Sequence, residues 1–258
     1  MSIVVTGYRG SIGARLAEVL MSATSGEFLG LDIEFGQDIT DPKWIRTIFE
    51  SGADVIFHLA AAKSAPAGEE DPYDTAHTNI LGTRNVLRAA SQLITSKRVP
   101  AVVTASTCKA CDPETAYGAS KLIAERMTLG YANGRVARFH NVMETQGNVF
   151  ETWAGLPEDE PIPVTNCTRH FICLDEAVSL LIAAASPLTE PGRYAFRPDP
   201  ALPMMTVARR LYPNRSKALV PPRRGDRITE PYMARCEEAE VLDWRLLRIT
   251  SPYDKERH

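Results

Sequence analysis

A short apolar strand, Ser2-Ile3-Val4-Val5-Thr6, runs directly into Thr6-Gly7-Tyr8-Arg9-Gly10-Ser11-Ile12-Gly13. A helix-periodic segment follows over 11–23, with Ile12, Leu16, Val19 and Leu20 on one stripe. This strand, T-G-x-x-G-x-x-G turn and helix restrict the chain more than any other feature. The glycines permit a tight turn and close backbone approach, so that a pyrophosphate can rest on the helix N-terminus. Three glycines alone say little. Here a second apolar run, Phe28-Leu29-Gly30-Leu31, ends at Asp32, an acid placed to accept hydrogen bonds from adenosine ribose hydroxyls. Its charge repels a 2′-phosphate, which favours NAD over NADP. Arg9 weakens that inference if it reaches such a phosphate, and is otherwise a surface arginine beside the pyrophosphate. Asp38-Ile39 is the natural pair to hold adenine, although Asp38 equally suits a turn cap. Leu59-Ala60-Ala61 supplies small side chains where a strand end passes beneath a cofactor.

The alternation continues. Asp41-Pro42 opens a helix through about Ser51, with Asp as cap and Pro in the first turn. A strand over 54–59, a helix over 73–95, a strand over 101–105, a helix over 117–132 and a strand over 135–139 follow. Such alternation predicts an α/β Rossmann-type fold, a doubly wound parallel sheet. Beyond residue 142 proline and charge rise and elements shorten to a helix near 174–186, a strand near 193–196 and a helix near 204–211. The expected division is an NAD-binding Rossmann domain over 1–141. A small, mainly substrate-binding region over 142–258 would return some segments to the core.

A chain of 258 residues suits one such domain with a modest appendage. A formal charge of −3 gives no electrostatic case for nucleic acid or an anionic membrane. No apolar run reaches membrane-spanning length, so a cytoplasmic protein is expected. Five cysteines, an odd number, suit reduced thiols. Cys108 and Cys111 form a C-x-x-C, but the spacing of Cys167 and Cys173 is wrong for zinc, and no metal is expected.

The chemistry concentrates in Ser106-Thr107-Cys108-Lys109 and Tyr117-Gly118-Ala119-Ser120-Lys121. A Tyr and a Lys four residues apart share a helix face, where the ammonium can lower the phenol's pKa. The phenolate can then take a proton from a substrate hydroxyl, with Thr107 holding the same oxygen. Tyr117 and Lys121 would also touch the cofactor.

These segments resemble the extended short-chain dehydrogenase/reductase superfamily: T-G-x-x-G-x-x-G, H-L-A-A and Y-x-x-x-K, in order. More narrowly, the chain is similar to the polysaccharide-biosynthesis branch, the inverting UDP-N-acetylglucosamine 4,6-dehydratases and their relatives. His58 to Pro66, Asn79 to Val86, Ser106 to Ala110, Arg138 to Val142, Pro161 to Val178 and Arg223 to Glu230 carry that likeness. The chain departs from it by being shorter, chiefly after the second strand and around 150–160. The resemblance implies an oxidation triad of Thr107, Tyr117 and Lys121. It also implies a sugar contact at Lys63, a diphosphate contact at Asn141, and a nucleotide-sugar clamp including Arg169, Arg223 and Glu230. For each the residues alone offer another reading: a solvated Lys63, an Asx turn at Asn141, an ion pair of Arg169 with Asp175 or Glu176. Arg224 stands where the branch has proline.

In such dehydratases C4 is oxidised with bound NAD, a Lys removes the C5 proton, an adjacent Asp protonates the departing C6 hydroxyl, and hydride returns to C6. Here Lys109 keeps the base position and Cys108 occupies the acid's. A thiol can donate a proton at neutral pH, or Cys108 is a packing residue and elimination is lost. The expected activity is therefore a nucleotide-sugar dehydratase acting on a UDP-hexose. An epimerase or dehydrogenase on the same scaffold, or a non-catalytic NAD-binding regulator, are the alternatives. The resemblance further implies a homodimer paired through the helices over 73–95 and 117–132.

Overall fold

A computed structural model describes residues 1–254. Its core is an eight-stranded sheet. Five parallel strands, β1 (Ile3–Thr6), β2 (Phe28–Leu31), β3 (Val55–His58), β4 (Ala101–Thr107) and β5 (Gly134–Phe139), lie in the order β2-β1-β3-β4-β5. Gly192–Phe196 continues the sheet in parallel, and Leu246–Thr250 and Glu238–Val241 close it in antiparallel fashion. The chain leaves β1 in one direction and returns on its other side, so the order reverses between β1 and β3. Ligands of open α/β sheets bind at the carboxyl ends beside such a reversal.

The strands are apolar on both faces because both are covered. In β1, Ile3 and Val5 face one core with Leu16 and Leu20 of α1 (Ser11–Ala23) and Leu180 and Leu181 of the helix Leu174–Ala185. Val4 faces the other core, with Ile48 of α2 (Pro42–Glu50) and Val86 and Ala90 further along the chain.

The helix expected over 73–95 is not uniform. After the short α3 (Ala65–Glu70), α4 (Pro72–Ala76) passes into a π-helical segment, His77–Leu81, before α5 (Gly82–Gln92). The widened turn sets buried Asn79 where its side chain bonds both Ala62 O (3.0 Å) and Ser120 Oγ (2.9 Å). Such π segments concentrate at functional sites. α6 (Ala116–Leu129) packs beside α5, with Thr115 capping it. Among the described residues no helix is long and apolar enough to cross a membrane.

Beneath the sheet's carboxyl edge lies a fully buried charge network. Arg138 grips Glu125 and Glu237, each through two hydrogen bonds of 2.7–3.0 Å. Arg193 joins Glu125 at 2.8 Å and Glu237 at 3.3 Å, and Ser106 Oγ donates to Glu125 at 2.6 Å. The segment 223–237 is thereby fastened across residues 108–114. Arg227 donates to Cys111 O at 2.8 Å and pairs with Glu114 at 2.9 Å.

Candidate active site

Each glycine of the first turn has its own reason. Gly7 has φ +71°, and a Cβ there would lie 2.7 Å from Ala60 N. A Cβ on Gly13 would lie 2.3 Å from Gly7 O, so α1 packs directly on the turn. Gly10 meets nothing closer than 3.4 Å and lines the cleft, so internal packing does not demand a glycine there. α1 has neither a side-chain cap nor an acid in its first turn. Unbonded N–H groups and the positive helix end therefore suit a pyrophosphate, and this part of the cleft fits a dinucleotide.

Asp32 is buried. Its Oδ2 accepts from Arg9 N (2.9 Å) and its Oδ1 from Glu34 N (3.1 Å), fastening the turn to the end of β2. The Arg9 guanidinium lies at the surface against Glu34. Asp38 accepts from Thr40 N at 2.8 Å, the turn-capping alternative, and Ile39 is buried against Gly82. Both therefore have structural tasks of their own at the end of the loop after β2.

Leu59 and Ala61 line the cleft. A directional chain of hydrogen bonds holds this strand end. Ala60 N donates to Thr6 Oγ1 (3.3 Å), which lies 2.8 Å from His58 Nδ1. His58 Nε2 lies 3.0 Å from Thr83 Oγ1, and that hydroxyl donates to Asn79 O (2.6 Å). Since the Thr83 hydroxyl donates onward, Nε2 carries the imidazole proton. Burial, with Lys121 adding to it, lowers His58 to about 3, so it stays neutral. His58, known from sequence only as part of a motif, is the hub of this wiring.

At the other end, β4 delivers Thr107, whose Oγ1 accepts Lys109 N (3.3 Å) and caps the turn Cys108–Ala110. α6 delivers Tyr117 and Lys121. Gly118 has no room for a side chain, because a Cβ would lie 2.4 Å from Lys109 O. Close packing thus brings Thr107, Lys109, Tyr117 and Lys121 to one cleft of about 260 Å³, together with Lys63 and Asn141.

The charges differ from the sequence reading. Tyr117 is raised above the ordinary phenol value, since burial outweighs the lowering by Lys109 and Thr107. The ammonium acting on the phenol is that of Lys109. Lys121, itself buried, falls to about 8 despite Glu125. Cys108 is 1 % exposed, does not line the cleft, and points Sγ at Glu230 Oε2 (3.6 Å). Burial pushes it up to about 11 against the pull of Lys109. This geometry does not present the thiol to a leaving group.

Glu230 is buried behind Lys109, away from the cleft lining. Its Oε1 lies 3.0 Å from Lys109 Nζ and 3.3 Å from Arg169 Nε, and its Oε2 accepts from Asn141 Nδ2 at 2.8 Å. Burial favours its neutral form, but Lys109, Arg169 and Asn141 together hold the carboxyl below its usual range. Lys109 is desolvated yet raised overall, with Cys108, Glu230 and Tyr117 opposing the desolvation. Arg169 pairs with Glu230, while Asp175 and Glu176 are taken by Arg15 and Arg245. Arg223 is exposed and bound to Asp226. Lys63, exposed, donates to Gln146 O at 2.9 Å. His140 lines the cleft and was missed as a site residue; its Nε2 donates to Phe196 O at 3.0 Å.

Several known proteins share this architecture. The chain is 30 % identical over 212 residues to an uncharacterized membrane protein, MJ1061, of Methanocaldococcus jannaschii, covering 71 % of this chain and 62 % of that one. It therefore spans less than two thirds of that relative. It is 26 % identical over 263 residues to the inverting UDP-N-acetylglucosamine 4,6-dehydratase of Campylobacter jejuni, covering 89 % and 76 %. The structure of a Thermus thermophilus UDP-glucose 4-epimerase complexed with NAD superposes with TM-score 0.73 at 23 % identity, over 90 % of either chain. The polysaccharide biosynthesis protein family matches residues 31–245, and the chain belongs to that branch of the extended short-chain dehydrogenase/reductases.

Proposed function

We propose that this protein oxidises C4 of a UDP-hexose of the N-acetylglucosamine type and then eliminates water across C5 and C6. The observation that carries this reading is Lys109, a lysine beside Thr107 and Tyr117 in addition to Lys121, for which C4 oxidation alone has no task. NAD, when bound, would take the C4 hydride and return it to C6 after the elimination, leaving a net loss of one water. Tyr117 takes the C4 hydroxyl proton while Thr107 holds that oxygen. Once C4 is a ketone the C5 proton is acidified; Lys109 as an amine removes it, and as an ammonium delivers a proton to the departing C6 oxygen. One residue thus covers both proton transfers, with Cys108 remaining behind it. Epimerisation is the second reading, favoured by the Glu230 contact that keeps Lys109 an ammonium.

Product masses decide between them. A panel of UDP- and dTDP-sugars is expected to yield a product lighter by one water. Unchanged mass with inverted C4 would instead establish the epimerase.

NAD is expected to bind at least about tenfold more tightly than NADP, ~1.4 kcal/mol. A 2′-phosphate would meet the carboxylates of Asp32 and Glu34 together. Calorimetric titration giving equal affinities for the two would overturn this assignment. Dimerisation through α5 and α6 is part of the same reading, and half-exposed Ile123 lies in the groove between them.

A further inference from the structure

Side chains from distant parts of the sequence converge on the Glu230 carboxylate, itself 1 % exposed. Two are cations sharing Oε1: Lys109 on the cleft side and Arg169 on the other. Oε1 makes no aligned hydrogen bond with either, so the contact is electrostatic. Arg169's hydrogen bonds go only to carbonyls, Thr168 O at 2.8 Å and Ile228 O at 3.4 Å. The planar guanidinium fork is suited to a diphosphate, which it can grip through paired charge-assisted bonds.

We propose that Glu230 is the positioning residue that sets the proton on Lys109, and that Arg169 makes the setting depend on a nucleotide diphosphate. The inference rests on the nucleotide-sugar reading above. With Arg169 on Glu230, the carboxylate has two counter-ions and Lys109 remains an ammonium. When Arg169 turns to the diphosphate, Glu230 keeps one. A single proton then passes from Lys109 Nζ to Oε1; ammonium and carboxylate become amine and carboxylic acid, with no change in net charge and no bond to carbon altered. A poorly solvated ion pair with unaligned hydrogen bonding favours that exchange. The amine is then able to take the C5 proton only when substrate is present. The other groups facing the pair are Cys108 and Tyr117 beside Lys109, and His140 and Cys167 within electrostatic reach of Glu230. Burial keeps Cys108 and Tyr117 protonated at neutral pH, and His140 falls to about 4, so these three are neutral there.

The test reads the reactivity of Lys109 towards an amine-acylating reagent as a function of pH, by peptide mass spectrometry, with and without UDP. Its midpoint is the quantity of interest, because steric shielding by a nucleotide lowers the plateau without moving the midpoint. In the unsubstituted protein UDP is expected to lower the midpoint by more than about three units, from the alkaline range to neutral pH or below, so that amine predominates there. Glu230→Gln should lower it without UDP and abolish the UDP response, while Glu230→Asp should restore that response. The diphosphate's own charge acts in the opposite direction. Binding of UDP, seen as a thermal shift, with an unmoved or raised midpoint overturns the proposal alone. Failure of both UDP and dTDP to bind overturns it together with the nucleotide-sugar reading.

Discussion

Tyr117→Phe is expected to cut the formation of reduced nicotinamide by ~10³-fold, within the range ordinarily lost with a positioned acid–base group. The substitution removes one oxygen and keeps the buried ring. NAD binding and thermal stability should therefore stay close to those of the unsubstituted protein, and nicotinamide absorbance separates the effects. Undiminished oxidation by the Phe variant would remove Tyr117 from the mechanism. The unsubstituted enzyme carries a further signature. Burial raises the phenol, so its ionised fraction, and the rate of the first oxidation, should climb with pH through the alkaline range. A flat profile there would mean that another group takes the proton.

Removing Glu125 should have the largest effect on stability. Its two oxygens hold Arg138, Arg193 and Ser106, all buried. Glu125→Ala leaves two guanidinium groups short of a counter-ion, a class of change that costs ~3–5 kcal/mol. Urea unfolding at neutral pH measures it, and a loss under about 1 kcal/mol would show that Glu237 and Asp254 suffice. The same carboxylate sets an acid limb. Burial raises its pKa, but Arg138, Arg193 and Ser106 more than offset this and hold it at about 2, against 4.5 ordinarily. Its contribution is complete above pH 4.5 and drains away as pH falls towards 2. Glu125→Gln should flatten that limb.

Most of the sheet was readable because its signals are local. Strand and helix patterns from Ile3 to Phe139 follow apolar periodicity with Gly, Pro and Asp punctuation, and the helices near 174 and 204 lie where expected. The strand Glu238–Val241 left no such mark: all four residues are exposed, and pairing with Leu246–Thr250 alone orders it. The π segment within the predicted helix 73–95 was equally hidden, because the contacts it serves, from Asn79 to Ala62 and Ser120, are distant in sequence. At the site, glycine spacing and the Tyr–Lys interval were legible for the same local reason. Neither the burial of Cys108 nor the place of Glu230 was. A side chain's direction at a strand end depends on what covers it, and here the cover comes from more than a hundred residues further on. For Asp38 and Ile39 the sequence left two readings side by side, because a short polar–apolar pair fits a turn as well as a ligand.

The fastening of segment 223–237 bears on synthesis from the ribosome. A chain grown only to Asn141 already holds Lys109, Tyr117 and Lys121, but the carboxylates of Glu230 and Glu237 do not yet exist. Arg138 would have only Glu125 to grip, and Lys109 would lack its proton partner. The half-made protein can assemble its nucleotide turn, yet its reaction chamber stays unfinished. Vectorial folding therefore completes the acid–base machinery last, when the tail is laid across the turn that follows β4.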